Sequence, residues 1–285
     1  MSEALRADRT AGRALPPTSK RWKAIWTAPL VAKVAVVAFA LGLWQLLSAV
    51  GVLKADVFPS MSSTMDALGR QLGTTNAWSA IGDTLAGWAV GLAVGGLSAI
   101  VVGSLIGSSR AAYRSTIPVV EFLKTVPVVA ILPLAILTLG TTLMMKVFLV
   151  AFGVFWPLVI QVVYGVRAVD PTLRDTAASL QIRGLRRFFV VVLPSAGPFI
   201  ATGLRISAAV ALVLDIVAEL FGGGRGLGQQ ILQAQNAGPT AFPIMYAFIV
   251  ITGVVGILVT GMFGQMEKRA LHWHESQRST ENVGL

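Results

Sequence analysis

The sequence predicts an all-α polytopic membrane protein with six transmembrane helices and both termini cytoplasmic. Three observations predict it. Hydrophobic residues make up 55% of the 285 and charged residues only 13%, with a mean hydropathy of +0.74, whereas soluble domains carry roughly 25% charge. Six segments are apolar over the roughly 20 residues that a helix needs to cross a bilayer. Lys and Arg also gather in alternate loops, the pattern that orients membrane helices. A net charge of +10 would suggest a nucleic-acid partner in a soluble chain; here it is the cytoplasmic-loop surplus, and no nucleic acid is expected. There is no cysteine, so disulfide and thiolate-metal chemistry are excluded within the chain.

Taken in order, residues 1–29 read as a basic cytoplasmic tail (Arg6, Arg9, Arg13, Lys20, Arg21, Lys23). The tail is longer and more mixed than the n-region of a signal peptide, so the first span is expected to be retained. The spans are placed near 30–52, 82–107, 115–139, 142–165, 196–221 and 242–265, within a membrane domain covering 30–266 and followed by a cytoplasmic tail, 267–285. With the N-terminus inside, the cytoplasmic pieces hold sixteen Lys/Arg: six in the tail, Arg110 and Arg114, five from Arg167 to Arg187, and Lys268, Arg269 and Arg278. The outer loops hold four: Lys54, Arg70, Lys146 and Arg225. Between the first two spans, Pro59 to Thr64 starts a short amphipathic helix running to Leu72. The third span contains Pro118, Pro127 and Pro133, each of which removes a backbone donor. A kinked or broken helix is expected there, of the kind tolerated where neighbours or a cavity satisfy the freed carbonyls. Pro157 and Pro243 are weaker signals of the same sort, and Trp156 reads as core packing.

Soluble chemistry is absent. Gly222 to Gly228 is glycine-rich but lacks the Lys-Ser/Thr of a nucleotide-binding loop, and it reads as a flexible turn between the last two spans. His272 and His274, flanking Trp273, sit in the C-terminal tail as a solvated helix end rather than a metal site. No metal site and no catalytic residue is expected. The intramembrane charges are the functional candidates, since charge at that depth costs several kcal/mol unless paired or hydrated. Glu121 and Lys124 share a helix face at i, i+3, and Glu121 is also expected to pair with Arg205 across spans three and five. Asp215 and Glu219, at i, i+4, lie one turn apart toward the outer end of the fifth span. Two readings stand for them: a water-filled mouth that hydrates them on a solute pathway, or a structural role.

The cytoplasmic loop after the fourth span carries the most specific signal. Asp170 is an N-cap and Pro171 the first helical residue, and Leu173, Ala177 and Leu180 recur on one face. Thr176-Ala177-Ala178-Ser179 presents a small, smooth surface to a partner. A helix held between two spans must lie at the membrane surface, either docked to another protein or resting passively at the headgroups.

Asp175-Thr176-Ala177, three residues, Gln181, and then Leu193-Pro194 resemble the loop signature of ABC importer permeases: Glu-Ala-Ala, three residues, Gly, and a spacer to Leu-Pro. Asp175 takes the Glu place, Thr176 and Ala177 the two Ala places, and Gln181 the Gly place, with Gly184 able to supply the turn instead. Val119 to Pro127, Ile131 to Ile136, Tyr164 to Pro171, Gly203-Leu-Arg205, and Val217 to Phe221 with Gly226-Leu-Gly228 resemble the nitrate/sulfonate/taurine/bicarbonate branch of that family, over about 58–273. The resemblance implies a type I importer fold in the bacterial cytoplasmic membrane, a transport subunit rather than an enzyme. It implies a coupling helix over about 171–183, with ATPase-coupling residues Asp175, Thr176, Ala177, Ala178, Gln181, Arg183, Gly184 and Pro194. Pathway or charge-pair residues would be Glu121, Lys124, Arg205, Asp215 and Glu219. Partners would be two cytoplasmic ATP-binding subunits that use ATP and Mg, a second permease copy and an extracytoplasmic solute-binding protein, with no cofactor bound by this chain. The competing readings are an ion-coupled secondary transporter working through Asp215 and Glu219, and a membrane scaffold.

Overall fold

The computed structural model describes residues 29–54 and 56–270. The basic tail from Arg6 to Lys23, the His272-Trp273-His274 segment and Arg278 lie outside the described residues. All regular structure among the described residues is helical. The chain divides into two compact units, one ending at Met61 and one beginning at Ser62.

The first unit holds α1 (Pro29–Ala49). Its 21 residues extend about 31 Å at 1.5 Å per residue, one bilayer core in length. The chain after it folds back so that the Trp44 indole donates to the Pro59 carbonyl at 3.2 Å. The amphipathic helix expected before Leu72 is α2 (Met61–Leu72).

The remaining spans follow the sequence order. They are α3 (Thr75–Ser108), a broken pair α4 (Arg110–Leu123) and α5 (Leu132–Leu139), α6 (Leu143–Arg167), α9 (Leu193–Gly222) and α11 (Phe242–Ala270). Short pieces lie between them: α7 (Pro171–Ser179), α8 (Gly184–Arg187) and α10 (Leu227–Asn236). Polar N-caps fix the starts of three spans. Thr74, Ser109 and Thr142 accept from the backbone N–H three residues on, satisfying one of the donors that every helix start leaves open. At the other ends, Gly140 (φ +66°) stops α5 and Gly223 (φ +70°) stops α9.

The proline-rich third span is broken as the sequence requires. α4 and the segment Val128–Leu139 diverge by 78°. Pro127 stands at the break with extended backbone and Pro133 in the first turn of α5, where its missing N–H costs nothing. Pro118 is carried inside α4. At the start of α9 the chain makes a π-helical turn over Phe188–Val192. Pro194 cannot donate there, and the Leu193 N–H reaches back five residues to Phe188. The Ser195 hydroxyl serves the Val191 carbonyl at 2.7 Å.

α3, α6 and α9 form the centre. α3 meets α6 along Gly87, Gly91, Gly95, Ala99, Gly103 and Gly107, a small residue at every fourth position and therefore one continuous ridge. A Cβ on Gly91 would stand 2.6 Å from that of Val150, and one on Gly103 would stand 2.8 Å from that of Val162. The two backbones are in contact for most of the span. Trp88 ties α3 to two further helices: its indole donates to the Ala208 carbonyl of α9 at 2.9 Å and meets Phe263 of α11 edge-on at 5.9 Å. Trp156 packs edge-on against Phe155 and Phe152 beside the core, as expected.

Candidate functional site

Two places, one at each end of α6, carry the chemistry. At the C-terminal end, Asp170 caps α7 by accepting from the Thr172 N–H at 2.7 Å, and Pro171 is the first helical residue. The helix ends sooner than expected, at Ser179, in a left-handed stop. The Gln181 N–H bonds the Ala178 carbonyl at 3.0 Å and the Ile182 N–H bonds that of Ala177 at 2.8 Å, the paired arrangement that closes helices through a left-handed residue. That residue is Gln181, at φ +57°. The family signature has glycine in this place because glycine reaches that conformation without cost. The substitution therefore leaves the turn in place; Gly184, also at φ +57°, opens α8 and does not replace it.

Of the small run expected to meet a partner, Thr176, Ala178 and Ser179 are exposed and Ala177 alone is turned inward. Ala177 is buried, at 3% exposure, against the bundle, where α7 touches the π-helical turn. Leu173 and Leu180, which flank it, are 49% and 68% exposed. Asp175, Thr176, Ala178, Gln181, Arg183 and Gly184 are exposed, as is Pro194. The free surface of α7 is thus a polar helix edged by two leucines, with the smooth alanine acting as its seat.

At the N-terminal end of α6, about 32 Å away along its axis, three helices enclose a charge cluster. Lys146 of α6 lies 2.5 Å from Glu219 and 3.5 Å from Asp215 of α9, and all three side chains are at most 2% exposed. The ammonium uses its other two protons on the carbonyls of Asp83 (2.9 Å) and Arg225 (3.0 Å). Glu219 also accepts from the Thr84 hydroxyl at 2.9 Å and from the Gly228 N–H at 2.8 Å, and the Leu227 N–H donates to Thr84 at 2.9 Å. Asp215 accepts no hydrogen bond of good geometry.

The glycine-rich segment is fixed, not flexible. A Cβ on Gly226 would collide with the Glu219 carboxylate, and one on Gly228 would stand 2.6 Å from the Ile216 carbonyl. The segment lies this close because the Gly228 N–H donates to the carboxylate and the Leu227 N–H to Thr84 beside it. Nor are Asp215 and Glu219 hydrated from a water-filled mouth. Both are fully buried, which becomes tolerable because Lys146 brings a counter-charge and the loop supplies donors. Lys146, counted among the outer-loop cations in the sequence, lies inside α6. Its position four residues after the Thr142 cap, on the face carrying Val150, was the available signal.

The expected Glu121–Arg205 pair does not form. Arg205 contacts Glu267 of α11 at 3.2 Å, and the Thr202 hydroxyl donates to the same carboxylate at 3.0 Å. Glu267 was assigned to the tail, but α11 continues through it. Glu121 and Lys124 do not pair either: both are exposed and neither makes an ion pair among the described residues. Lys124 is the C-cap of α4, still in helical conformation with its N–H on the Val120 carbonyl at 3.0 Å, and the two side chains stay apart in solvent.

Such a bundle, with a broken span, a surface helix at one end and a sealed charge cluster at the other, is that of a multi-span helical membrane protein. Residues 91–272 match the family described as binding-protein-dependent transport system inner membrane component. The putative aliphatic sulfonates transport permease protein SsuC of Bacillus subtilis is 30% identical over 83% of this chain and 85% of its own length. The nitrate import permease protein NrtB of Leptolyngbya laminosa is 29% identical over 81% and 84%. In fold, the chain resembles a chain of the methionine ABC transporter MetNI in an inward-facing conformation, with a TM-score of 0.61 over 68% of this chain and 96% of that one, at 18% identity. The chain belongs to the family of binding-protein-dependent transport system inner-membrane components, as an ABC importer permease.

Proposed function

We propose that this permease forms the membrane path for a small anion or organic acid, of the class of nitrate, sulfonates or taurine, and is driven by a separate cytoplasmic ATPase that docks on α7. The observation that carries the proposal is α7 itself: a capped, sharply stopped helix at the end of the bundle, seated by Ala177 and offering Leu173 and Leu180 outward. The loop charges put that end in the cytoplasm. The exposed Asp175, Thr176, Ala178, Gln181, Arg183 and Gly184 then face the partner, while Ala177 and Pro194 hold the helix and its return strand of chain in register with α9. ATP and Mg belong to the partner, and two such subunits, a second permease copy and an extracytoplasmic binding protein complete the assembly. The names of the sulfonate and nitrate relatives support the solute class. Glu121, Lys124 and Arg205, near the cytoplasmic side, are the charges left accessible to a passing solute. Asp215 and Glu219 are locked on Lys146, which removes the basis for carrying ions through them.

The test is a tagged pull-down in mild detergent, with ATP hydrolysis assayed in the eluate and uptake measured in cells. Leu173→Asp with Leu180→Asp is expected to release a stoichiometric ATPase partner and abolish uptake while the permease stays folded. Uptake that persists without an ATPase partner, and that a proton uncoupler stops while ATP is maintained, refutes the proposal.

A further inference from the structure

Where α3 and α6 end beside α7, three arginines converge on a cavity of about 200 Å³ formed by Gly107, Ser108, Arg110, Arg167 and Arg174. The cavity lies at the junction of four helices: Arg110 opens α4, Arg167 closes α6 and Arg174 belongs to α7. Its cations have no anion. Among the described residues none of the three has a carboxylate within 4.0 Å, and Asp170 turns one of its carboxylate oxygens to the Thr172 N–H as the cap of α7. Arg174 donates one guanidinium N–H to the Val166 carbonyl at 2.8 Å, but its Nε is buried with no partner. Arg167 lies over the Tyr113 ring, 4.0 Å from its centre, which orients the guanidinium without neutralising it.

Helix ends do not balance this charge. The C-termini of α3 and α6 bring about half a negative charge each, and the α4 N-terminus returns about half a positive one. Against three full charges, an excess of about two and a half remains. Unpaired guanidinium donors of this kind are matched by phosphate oxygens, which they bind in bidentate geometry. The volume, worth several waters at about 30 Å³ each, admits one compact oxyanion and falls below the roughly 300 Å³ of ordinary small-molecule pockets.

We infer that the Arg110–Arg167–Arg174 cavity is a phosphate-binding site at the membrane surface. Because it lies at the ends of two spanning helices, a lipid headgroup phosphate can reach it as well as free phosphate. A bound phosphate bridges Arg174 of α7 to Arg110 and Arg167 of the bundle, adding a tie to a helix otherwise seated mainly by Ala177. An effect on coupling rests on the reading of α7 given above; the binding does not.

The experiment uses the full chain in nanodiscs of phosphatidylcholine, alone or with phosphatidylglycerol, with inorganic phosphate as the soluble probe. Retained phosphatidylglycerol is read by native mass spectrometry after detergent extraction, and phosphate binding by thermal shift. Arg110→Gln and Arg167→Gln are each expected to weaken binding about tenfold or more, the loss of one charge-assisted contact. Arg114→Gln, at an arginine exposed like Arg110 and Arg167 but outside the cavity, leaves binding unchanged, and Arg110→Lys retains part of it, which separates binding from misfolding. Retention of phosphatidylglycerol without a phosphate shift identifies a lipid site, and a phosphate shift in pure phosphatidylcholine identifies a free-anion site. Binding of neither probe, or equal losses in Arg114→Gln and Arg110→Gln, overturns the assignment whether or not an ATPase docks on α7.

Discussion

Replacing Lys146 by Met tests the cluster at the N-terminal end of α6. Methionine keeps most of the stem's length and packing but removes the ammonium. Glu219 then loses its counter-ion at 2.5 Å and Asp215 its only close one at 3.5 Å, while the carbonyls of Asp83 and Arg225 each lose a donor. Stripping one partner from a buried ion pair costs about 3–5 kcal/mol, chiefly because the remaining charge stays buried. An exposed pair would cost about 0.2–1 kcal/mol. The ratio of folded to unfolded protein should therefore fall roughly a hundred- to several-thousand-fold, read as equilibrium unfolding in mixed detergent micelles. A second arm separates charge from packing. In Lys146→Met combined with Asp215→Asn and Glu219→Gln, the orphaned charges are gone, and the glutamine oxygen still accepts from Thr84 and Gly228. That variant should regain more than half of the lost stability. A cost below about 1 kcal/mol for Lys146→Met, or a triple variant less stable than the single one, would refute the argument that buried charge holds this end together.

Three further outcomes follow from other parts of the fold. Gly95→Val places a side chain against the Ala151 backbone, 2.6 Å from its carbonyl oxygen at Cβ; the overpacking should cost about 1–3 kcal/mol or more. Gly82→Ala, with nothing within 4 Å, should be neutral or gain up to about 1 kcal/mol from helix propensity, both read by the same unfolding assay. Gln181→Gly should relieve the roughly 1–2 kcal/mol cost of a left-handed non-glycine residue and slow amide exchange over 177–182, whereas Gln181→Val should speed it. For Arg205 and Glu267, 53% and 12% exposed at the side chain, a double-mutant cycle should give a coupling of at most about 1 kcal/mol, and the Arg205–Glu121 cycle should give none.

The spans were legible because each needs about 20 apolar residues, and that requirement is written locally. The break in the span carrying Pro118, Pro127 and Pro133 and the cap at Asp170 were legible for the same reason: they depend on one residue's own donors and acceptors. The cluster was only half legible. Asp215 and Glu219 announce themselves by charge at spacing four, but their partner lies 69 and 73 positions away, and nothing local brings Lys146 inward rather than out to a headgroup. The glycine ridge of α3 is written at period four, but a search for apolar runs of about 20 residues does not register a stripe of small residues within a run. Glu267 was lost to a boundary set two residues too early. The orientation of α7 could not be read from periodicity alone, since Leu173, Ala177 and Leu180 share a face, and only the packing of that face shows that the smallest of them makes the contact.

The two ends of α6 differ in how firmly they are held, and the difference bears on motion. At one end α3, α6, α9 and the 223–228 loop converge on a single ammonium and a carboxylate that accepts from three donors, Thr84, Lys146 and Gly228, and opening any of them exposes buried charge. At the other end α7 rests on one buried alanine, one arginine-to-carbonyl bond and a turn closed through a strained glutamine. Local opening is cheap where buried contacts are few and costly where they are many. A displacement of α7, as the proposed coupling requires, would reach the bundle through the π-helical turn and Pro194, where the backbone ladder of α9 is already interrupted, while the far end of α9 is anchored at Glu219. Under that constraint tilting of α9 about its anchored end would break fewer buried contacts than sliding along α6, and the close Gly87–Gly107 ridge would carry α3 with α6.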